Sequence, residues 1–160
     1  MNRVKSVLQK LRNKSQNSGI SFQLSLQLFC QEEFLRRLSY SKFQYNLVLK
    51  GDLFLYLITN FESRPTRDID FLINSYSNEH ENIEEMIKDI INIDTENDYI
   101  SFEIKSINPI SEQREYQGVR IKMIGLIGNT RTPFDIDIGV GDVVIPKPTY
   151  SKRSLSLTFF

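Results

Sequence analysis

Residues 66–73 read Thr-Arg-Asp-Ile-Asp-Phe-Leu-Ile, so that two carboxylates alternate with large apolar side chains. A period of two is typical of a β-strand that buries one face and exposes the other. The segment Asp135-Ile136-Asp137-Ile138 repeats this alternation near the other end of the chain. The two segments predict two strands of one sheet, with isoleucine and phenylalanine on the buried face and aspartate on the other.

Other segments extend this core in both directions. Hydrophobic spacing predicts helices over Val4–Asn13, Phe22–Ser39 and Leu53–Phe61, and a further helix opened by Asn78. Alternation predicts strands at Leu47–Leu49, Ile100–Ser106, Val119–Met123 and Phe134–Ile138, with residues 128–133 as a hairpin connection. Cys30 lies on an apolar helix face and is expected to be a packed thiol. The fold class is therefore α+β, with a mixed, largely antiparallel sheet flanked by helices.

Length and composition exclude several classes of protein. The chain has 160 residues, of which 40% are hydrophobic, and this matches one folded domain. Its longest apolar run, Leu53–Ile58, is too short to span a membrane, and no signal peptide is visible, so we expect a cytoplasmic protein. A single cysteine and a single histidine exclude a disulfide framework, a Cys/His zinc site and a serine or cysteine triad. Any chemistry must rest on carboxylates.

Charge is unevenly distributed along the chain. Residues 1–50 carry a balance of +7, residues 51–117 of −10 and residues 118–160 of +3. A basic N-terminal third suits a polyanion such as RNA, and it equally suits a solvated helix surface.

The aspartate pairs are the first candidate site. Asp68 and Asp70 project from one face of a strand, and two like charges this close favour a cation between them. Carboxylates are preferred ligands of Mg²⁺, and two such ions can clamp a phosphoryl displacement. Either Asp135 or Asp137 could supply the third carboxylate. The alternative is a solvent-facing strand with acidic side chains.

The second candidate element is Lys50-Gly51-Asp52, between a strand and a helix. Glycine there lets the backbone approach a phosphate, and the helix N-terminus offers free N–H groups. Arg64 and Arg67 precede the aspartates and could neutralise phosphate oxygens. A tight turn and surface ion pairs are the alternative interpretations.

Four separated motifs occur in an order that resembles a known family: Leu49–Gly51, Arg64–Phe71, Tyr116–Lys122 and Ile136–Asp142. They resemble the AbiEii/AbiGii abortive-infection toxins, which are nucleotidyltransferases of the DNA polymerase β-like superfamily. Residues 33–39 also resemble the leading helices of that family. The resemblance implies leading helices over residues 1–45 and a nucleotidyltransferase core over 46–148. Residues 149–160 form an atypical tail, where the family continues into a C-terminal helical region.

The resemblance also implies a reaction and its residues. It implies a cytoplasmic toxin–antitoxin or phage-defence enzyme that uses Mg²⁺ to transfer a nucleotide from an NTP to an RNA acceptor, with tRNA as one candidate. It assigns Asp68, Asp70 and Asp137 as metal ligands and favours Asp137 over Asp135. Nucleotide binding falls to Lys50, Gly51, Asp52, Arg64 and Arg67, and a cognate antitoxin is the expected protein partner.

Two departures from the family pattern define an alternative function. Asp52 stands where the family usually has a second small residue, and its charge would repel a triphosphate. The family's lysine-bearing helix has no counterpart in residues 151–160. The alternative is a truncated remnant that folds and binds nucleotide or a partner without catalysis.

Overall fold

The computed structural model describes residues 2–50, 68–110 and 118–139. In chain order the elements are α1 (Arg3–Ser18), α2 (Phe22–Tyr40), β1 (Leu47–Lys50), β2 (Asp68–Ile73), α3 (His80–Ile91), β3 (Ile100–Ile110), β4 (Gly118–Ile127) and β5 (Thr130–Gly139). The predicted helix at Leu53–Phe61 lies outside the described residues, as do Thr66 and Arg67 at the start of the predicted second strand. Within the described residues, no helix is long and apolar enough to cross a membrane.

The five strands form one sheet in the order β1-β2-β5-β4-β3. The β2–β5 pair is parallel, and the other three pairs are antiparallel. The predicted fold class, α+β with a mixed and largely antiparallel sheet, is therefore confirmed. Because β2 and β5 come from distant parts of the chain, their pairing brings the two aspartate segments together.

The core lies between one face of this sheet and the helices. Alternate residues of β2, β4 and β5 are buried there, and α2 packs across β5. Phe34 of α2 contacts Phe71 of β2 and Phe102 of β3, with ring centroids 6.3 and 6.4 Å apart. The helices thus cover the isoleucine and phenylalanine face and leave the aspartate face uncovered by α2. Cys30 is fully buried, as predicted.

A buried charge network fixes α2 against the rest of the core. The Glu33 carboxylate is fully buried and accepts hydrogen bonds from four side chains: Arg36, Arg37, Thr95 and Asn97. The Arg37 guanidinium also donates to the carbonyls of Ile91 and Ile100, at 2.8 and 2.7 Å. This network ties α2 to the end of α3 and the start of β3. Buried charges need such partners because an unpaired one is costly to desolvate.

The helix starts and ends follow local capping, with one correction. Ser21 caps α2 by accepting from the Leu24 N–H, and Gly19 ends α1 in the left-handed region at φ 77°. The predicted helix start at Asn78 is wrong, because α3 begins at His80 with Glu79 as its N-cap. The Ser77 hydroxyl accepts the Glu79 N–H, so the chain turns one residue later than the Asn78 pattern indicates.

The hairpin connection is shorter than predicted. Only Gly128 and Asn129 form the turn, and residues 130–133 belong to β5. Gly128 has φ 59°, a conformation that a two-residue hairpin turn requires and that glycine adopts without strain. Pro133 lies opposite Ile124 within the ladder. The turn-rich composition of residues 128–133 therefore overstated the length of the connection.

Candidate functional site

The candidate site is the sheet face opposite the helical core. In the parallel register of β2 and β5, Asp68 lies opposite Asp135 and Asp70 lies opposite Asp137. Paired residues of neighbouring strands share a face and lie about 4.8 Å apart along the hydrogen-bonding direction. The intervening Ile69 is fully buried on the other side. The four aspartates thus lie on one face of two neighbouring strands.

Basic residues flank this acidic group in register. Arg120 of β4 lies opposite Asp137, and Lys122 lies opposite Asp135. On the far side, Lys50 of β1 occupies the position opposite Asp70. One row across four strands therefore reads Lys50, Asp70, Asp137, Arg120. Opposite charges at facing positions stabilise a sheet, whereas the two central carboxylates alone would repel each other.

The guanidinium of Arg120 donates hydrogen bonds to both carboxylate oxygens of Asp137. Its Nε donates to Asp137 Oδ1 at 2.8 Å, and its Nη2 donates to Oδ2 at 2.9 Å. Asp135 Oδ2 lies farther off, 4.0 Å from the same Nε. The hydrogen bonds to Asp137, followed by the charge of that carboxylate, raise the pKa of Arg120 above its usual value. The Asp137 side chain is only 17% exposed, against 30% for Asp135.

The donor chemistry at this face suits a hard divalent cation, because carboxylate oxygens are what Mg²⁺ prefers. The arrangement fits less well. Within residues 2–50, 68–110 and 118–139, no group of three or more His, Cys, Asp and Glu side chains is placed to hold a metal ion. Both oxygens of Asp137 are engaged by Arg120 instead. The metal site at Asp68, Asp70 and Asp137 therefore stays a prediction.

The predicted nucleotide-binding residues fall largely outside the described part of the chain. Gly51, Asp52, Arg64 and Arg67 are all in the segment 51–67, which the structure does not describe. Lys50 ends β1, and only its backbone position is described. The roles of these five residues likewise stay predictions.

Sequence patterns did not single out Arg120. Arg120 alternates with the buried residues Val119 and Ile121, and this pattern indicates that its side chain points away from the core. It does not show which strand lies alongside. The pairing with Asp137 depends on the β4–β5 register, which becomes predictable only once the hairpin turn is placed at Gly128 and Asn129.

A depression of about 690 Å³ lies elsewhere, between α2 and the loop that precedes β3. It is lined by Arg36, Tyr40, Asp94 and the residues that follow it to Asn97. Its cation, Arg36, is already paired with Glu32 and Glu33. It also lies on the helical side of the sheet, so the aspartate face is the better candidate for phosphate chemistry.

Comparison with known proteins agrees with the motif order. Residues 33–159 match the family model described as "Nucleotidyl transferase AbiEii toxin, Type IV TA system". This match covers most of the chain, and the chain belongs to this family of nucleotidyltransferase toxins. No match is found among the curated proteins.

One similar solved structure comes from H. pylori and is provisionally assigned as a nucleotidyltransferase. It is 16% identical, with a TM-score of 0.47. The match covers 76% of this chain and 46% of that one, so this chain spans about half the length of that protein.

Proposed function

We propose that this chain forms the core of a cytoplasmic toxin–antitoxin nucleotidyltransferase that transfers a nucleotide from an NTP to an RNA acceptor, with tRNA as the first candidate. The observation that carries the proposal is the register of β2 and β5, which places Asp70 opposite Asp137 on the aspartate face of the sheet. Membership of the AbiEii family supplies the reaction class. The proposal includes a cognate antitoxin as the protein partner and a role in phage defence.

In the proposed reaction, a hydroxyl oxygen of the acceptor attacks the α-phosphorus of the NTP. A new phosphodiester bond forms, the bond between the α-phosphorus and the oxygen that bridges to the β-phosphate breaks, pyrophosphate leaves, and the hydroxyl proton passes to water. Asp68, Asp70 and Asp137 would hold Mg²⁺, which would neutralise charge on the phosphates and make the acceptor hydroxyl oxygen a better nucleophile. Lys50, Arg64 and Arg67 would balance the charge of the triphosphate, and the Gly51-Asp52 turn would bring backbone N–H groups to it.

The test is transfer by the purified chain. Each of the four NTPs, labelled at the α-phosphate, is incubated with total tRNA and Mg²⁺, and the RNA is resolved on a denaturing gel. We expect one NTP to label RNA and the label to disappear with EDTA. Absence of labelled RNA with every NTP, from a folded protein, would contradict the proposal.

A second candidate function is a fold that binds nucleotide or a partner without catalysis. The bidentate hold of Arg120 on Asp137 favours it, because this ion pair engages a carboxylate that the enzyme would need. The two functions separate in one experiment. Equilibrium binding of a labelled NTP without any transfer to RNA would support the non-catalytic protein.

A further inference from the structure

Two basic side chains of β4 occupy equivalent positions on the aspartate face, and they behave differently. Arg120 and Lys122 each lie opposite an aspartate of β5. The guanidinium of Arg120 binds both oxygens of Asp137, whereas the ammonium of Lys122 makes no ion pair with any residue that the structure describes. The planar fork of arginine can donate to both oxygens of one carboxylate at once, whereas the lysine ammonium acts as a point charge.

The ion pair of Arg120 and Asp137 lies beside a second carboxylate. Asp137 also faces Asp70 across the parallel β2–β5 ladder. Two carboxylates at facing positions favour a cation at either one. Arg120 supplies that cation from within the protein, and it remains charged at every accessible pH.

We propose that Arg120 is a resident counter-ion of Asp137 that competes with a divalent cation for that carboxylate. The inference rests on the proposed role of Asp137 as a metal ligand. In the resting protein the guanidinium fork holds Asp137 in place. A divalent cation that binds this carboxylate competes with hydrogen bonds of 2.8 and 2.9 Å from Arg120.

The experiment is a titration of the full chain with Mn²⁺ alone, followed by electron paramagnetic resonance, which reports free Mn²⁺. The variants are Arg120→Gln and Lys122→Gln. Both remove one positive charge from the same strand and face, so Lys122→Gln controls for net charge. Because the substitution frees a carboxylate that two charge-assisted hydrogen bonds hold, we expect Arg120→Gln to bind Mn²⁺ about tenfold more tightly than wild type. Lys122→Gln should change the affinity by no more than about twofold.

Two further variants keep the test decisive. Arg120→Lys retains the charge without the fork and should give an intermediate affinity. Adding Asp137→Asn to Arg120→Gln should abolish the gain, because the released carboxylate is then missing. Melting temperatures in EDTA and in Mn²⁺ report folding independently. Mn²⁺ should raise the melting temperature of Arg120→Gln more than that of wild type.

Equal Mn²⁺ affinities for Arg120→Gln and Lys122→Gln would overturn the inference, as would no Mn²⁺ binding by Arg120→Gln. Weaker binding by Arg120→Gln than by wild type would also overturn it and would make Arg120 a residue that only positions Asp137. The proposed function is judged separately by RNA labelling. If RNA is labelled and the two variants have equal Mn²⁺ affinities, only the competition between Arg120 and the cation is refuted. If Arg120→Gln binds Mn²⁺ more tightly and no RNA is labelled, only the proposed enzyme activity is refuted.

Discussion

Asp70 on β2 lies directly opposite Asp137 on β5 in a parallel register, and this pairing concentrates negative charge on the aspartate face of the sheet. Each of the two is flanked in the same row by a basic residue, Lys50 on one side and Arg120 on the other. Like charges at adjacent positions destabilise a sheet unless something compensates them. The ion pair of Arg120 with Asp137 offsets part of this repulsion.

The first prediction concerns Asp70. Asp70→Asn keeps the size of the side chain and removes its charge, so a cation held there would lose a ligand. We expect transfer of labelled nucleotide to RNA to fall by about 100-fold or more. The measurement is the initial rate of labelling, with circular dichroism to show that the fold is kept.

Asp94→Asn is the matched control for that substitution. Asp94 is exposed in the loop that precedes β3, away from the aspartate face. Its substitution removes the same charge and should leave the rate within about twofold, since a surface charge at a distance is largely screened. Equal losses in both variants would show that Asp70 acts only through net charge.

The second prediction concerns the buried Glu33 carboxylate. Glu33→Ala leaves Arg37, itself 5% exposed, without its carboxylate partner. Breaking one half of a buried ion pair costs about 3–5 kcal/mol. We expect a loss of that size in the free energy of unfolding measured by urea denaturation.

Glu32→Ala serves as the comparison for Glu33→Ala. Glu32 accepts a hydrogen bond of 3.2 Å from Arg36, whose side chain is 21% exposed. Its loss should cost less than that of Glu33, because the guanidinium of Arg36 is partly exposed and can be hydrated once the Glu32 carboxylate is removed. If the two variants were equally destabilised, the network around Glu33 would not be the main tie between α2 and β3.

The third prediction concerns the contact between β4 and α2 at Gly125. A Cβ at this position would overlap Cys30 Sγ and lie 3.3 Å from Cys30 Cβ. Gly125→Ala should therefore destabilise the protein by about 1–3 kcal/mol through overpacking. In a Cys30→Ala background the sulfur is gone, and the same substitution should cost clearly less. A double-mutant cycle of urea denaturation measures this coupling, and additive costs would refute it.

The fourth prediction concerns pH. Burial raises the pKa of the Cys30 thiol to about 12. The unfolded chain releases this proton near pH 8.5, so it binds fewer protons than the folded protein at higher pH. The contribution of Cys30 to stability is complete below that pH and is lost as the pH rises towards 12.

Comparison of wild type with Cys30→Ala isolates this contribution from other titrating groups. Between pH 7 and pH 10, wild type should lose about 1–2 kcal/mol more unfolding free energy than Cys30→Ala does. Alkylation gives a second measurement: iodoacetamide at pH 8 should modify Cys30 slowly in the native protein and rapidly in urea. Rapid modification of the native protein would show that the thiol is accessible.

Local sequence patterns predicted the two aspartate-bearing strands and helix α2. Alternation in residues 68–73 and 134–138 predicted both aspartate-bearing strands and the face that each buries, because the strand period of two belongs to the backbone itself. The helix α2 and its Ser21 cap were also predicted, because capping involves residues only three positions apart. Errors arose where two local signals competed, as at Asn78 and Ser77, or where Gly, Asn, Thr and Pro suggested a longer turn than the hairpin uses.

By itself, the sequence indicated the aspartate-bearing strands, helix α2, the side chains of these elements that face the core, and, through the order of its motifs, the AbiEii family. Only the tertiary structure decided that β2 pairs in parallel with β5, that Arg120 binds Asp137, and that Glu33 gathers donors from α2 and a distant loop. These relationships join residues far apart in the chain. Periodicity and capping act over a few residues, whereas strand order and register depend on how the whole core packs.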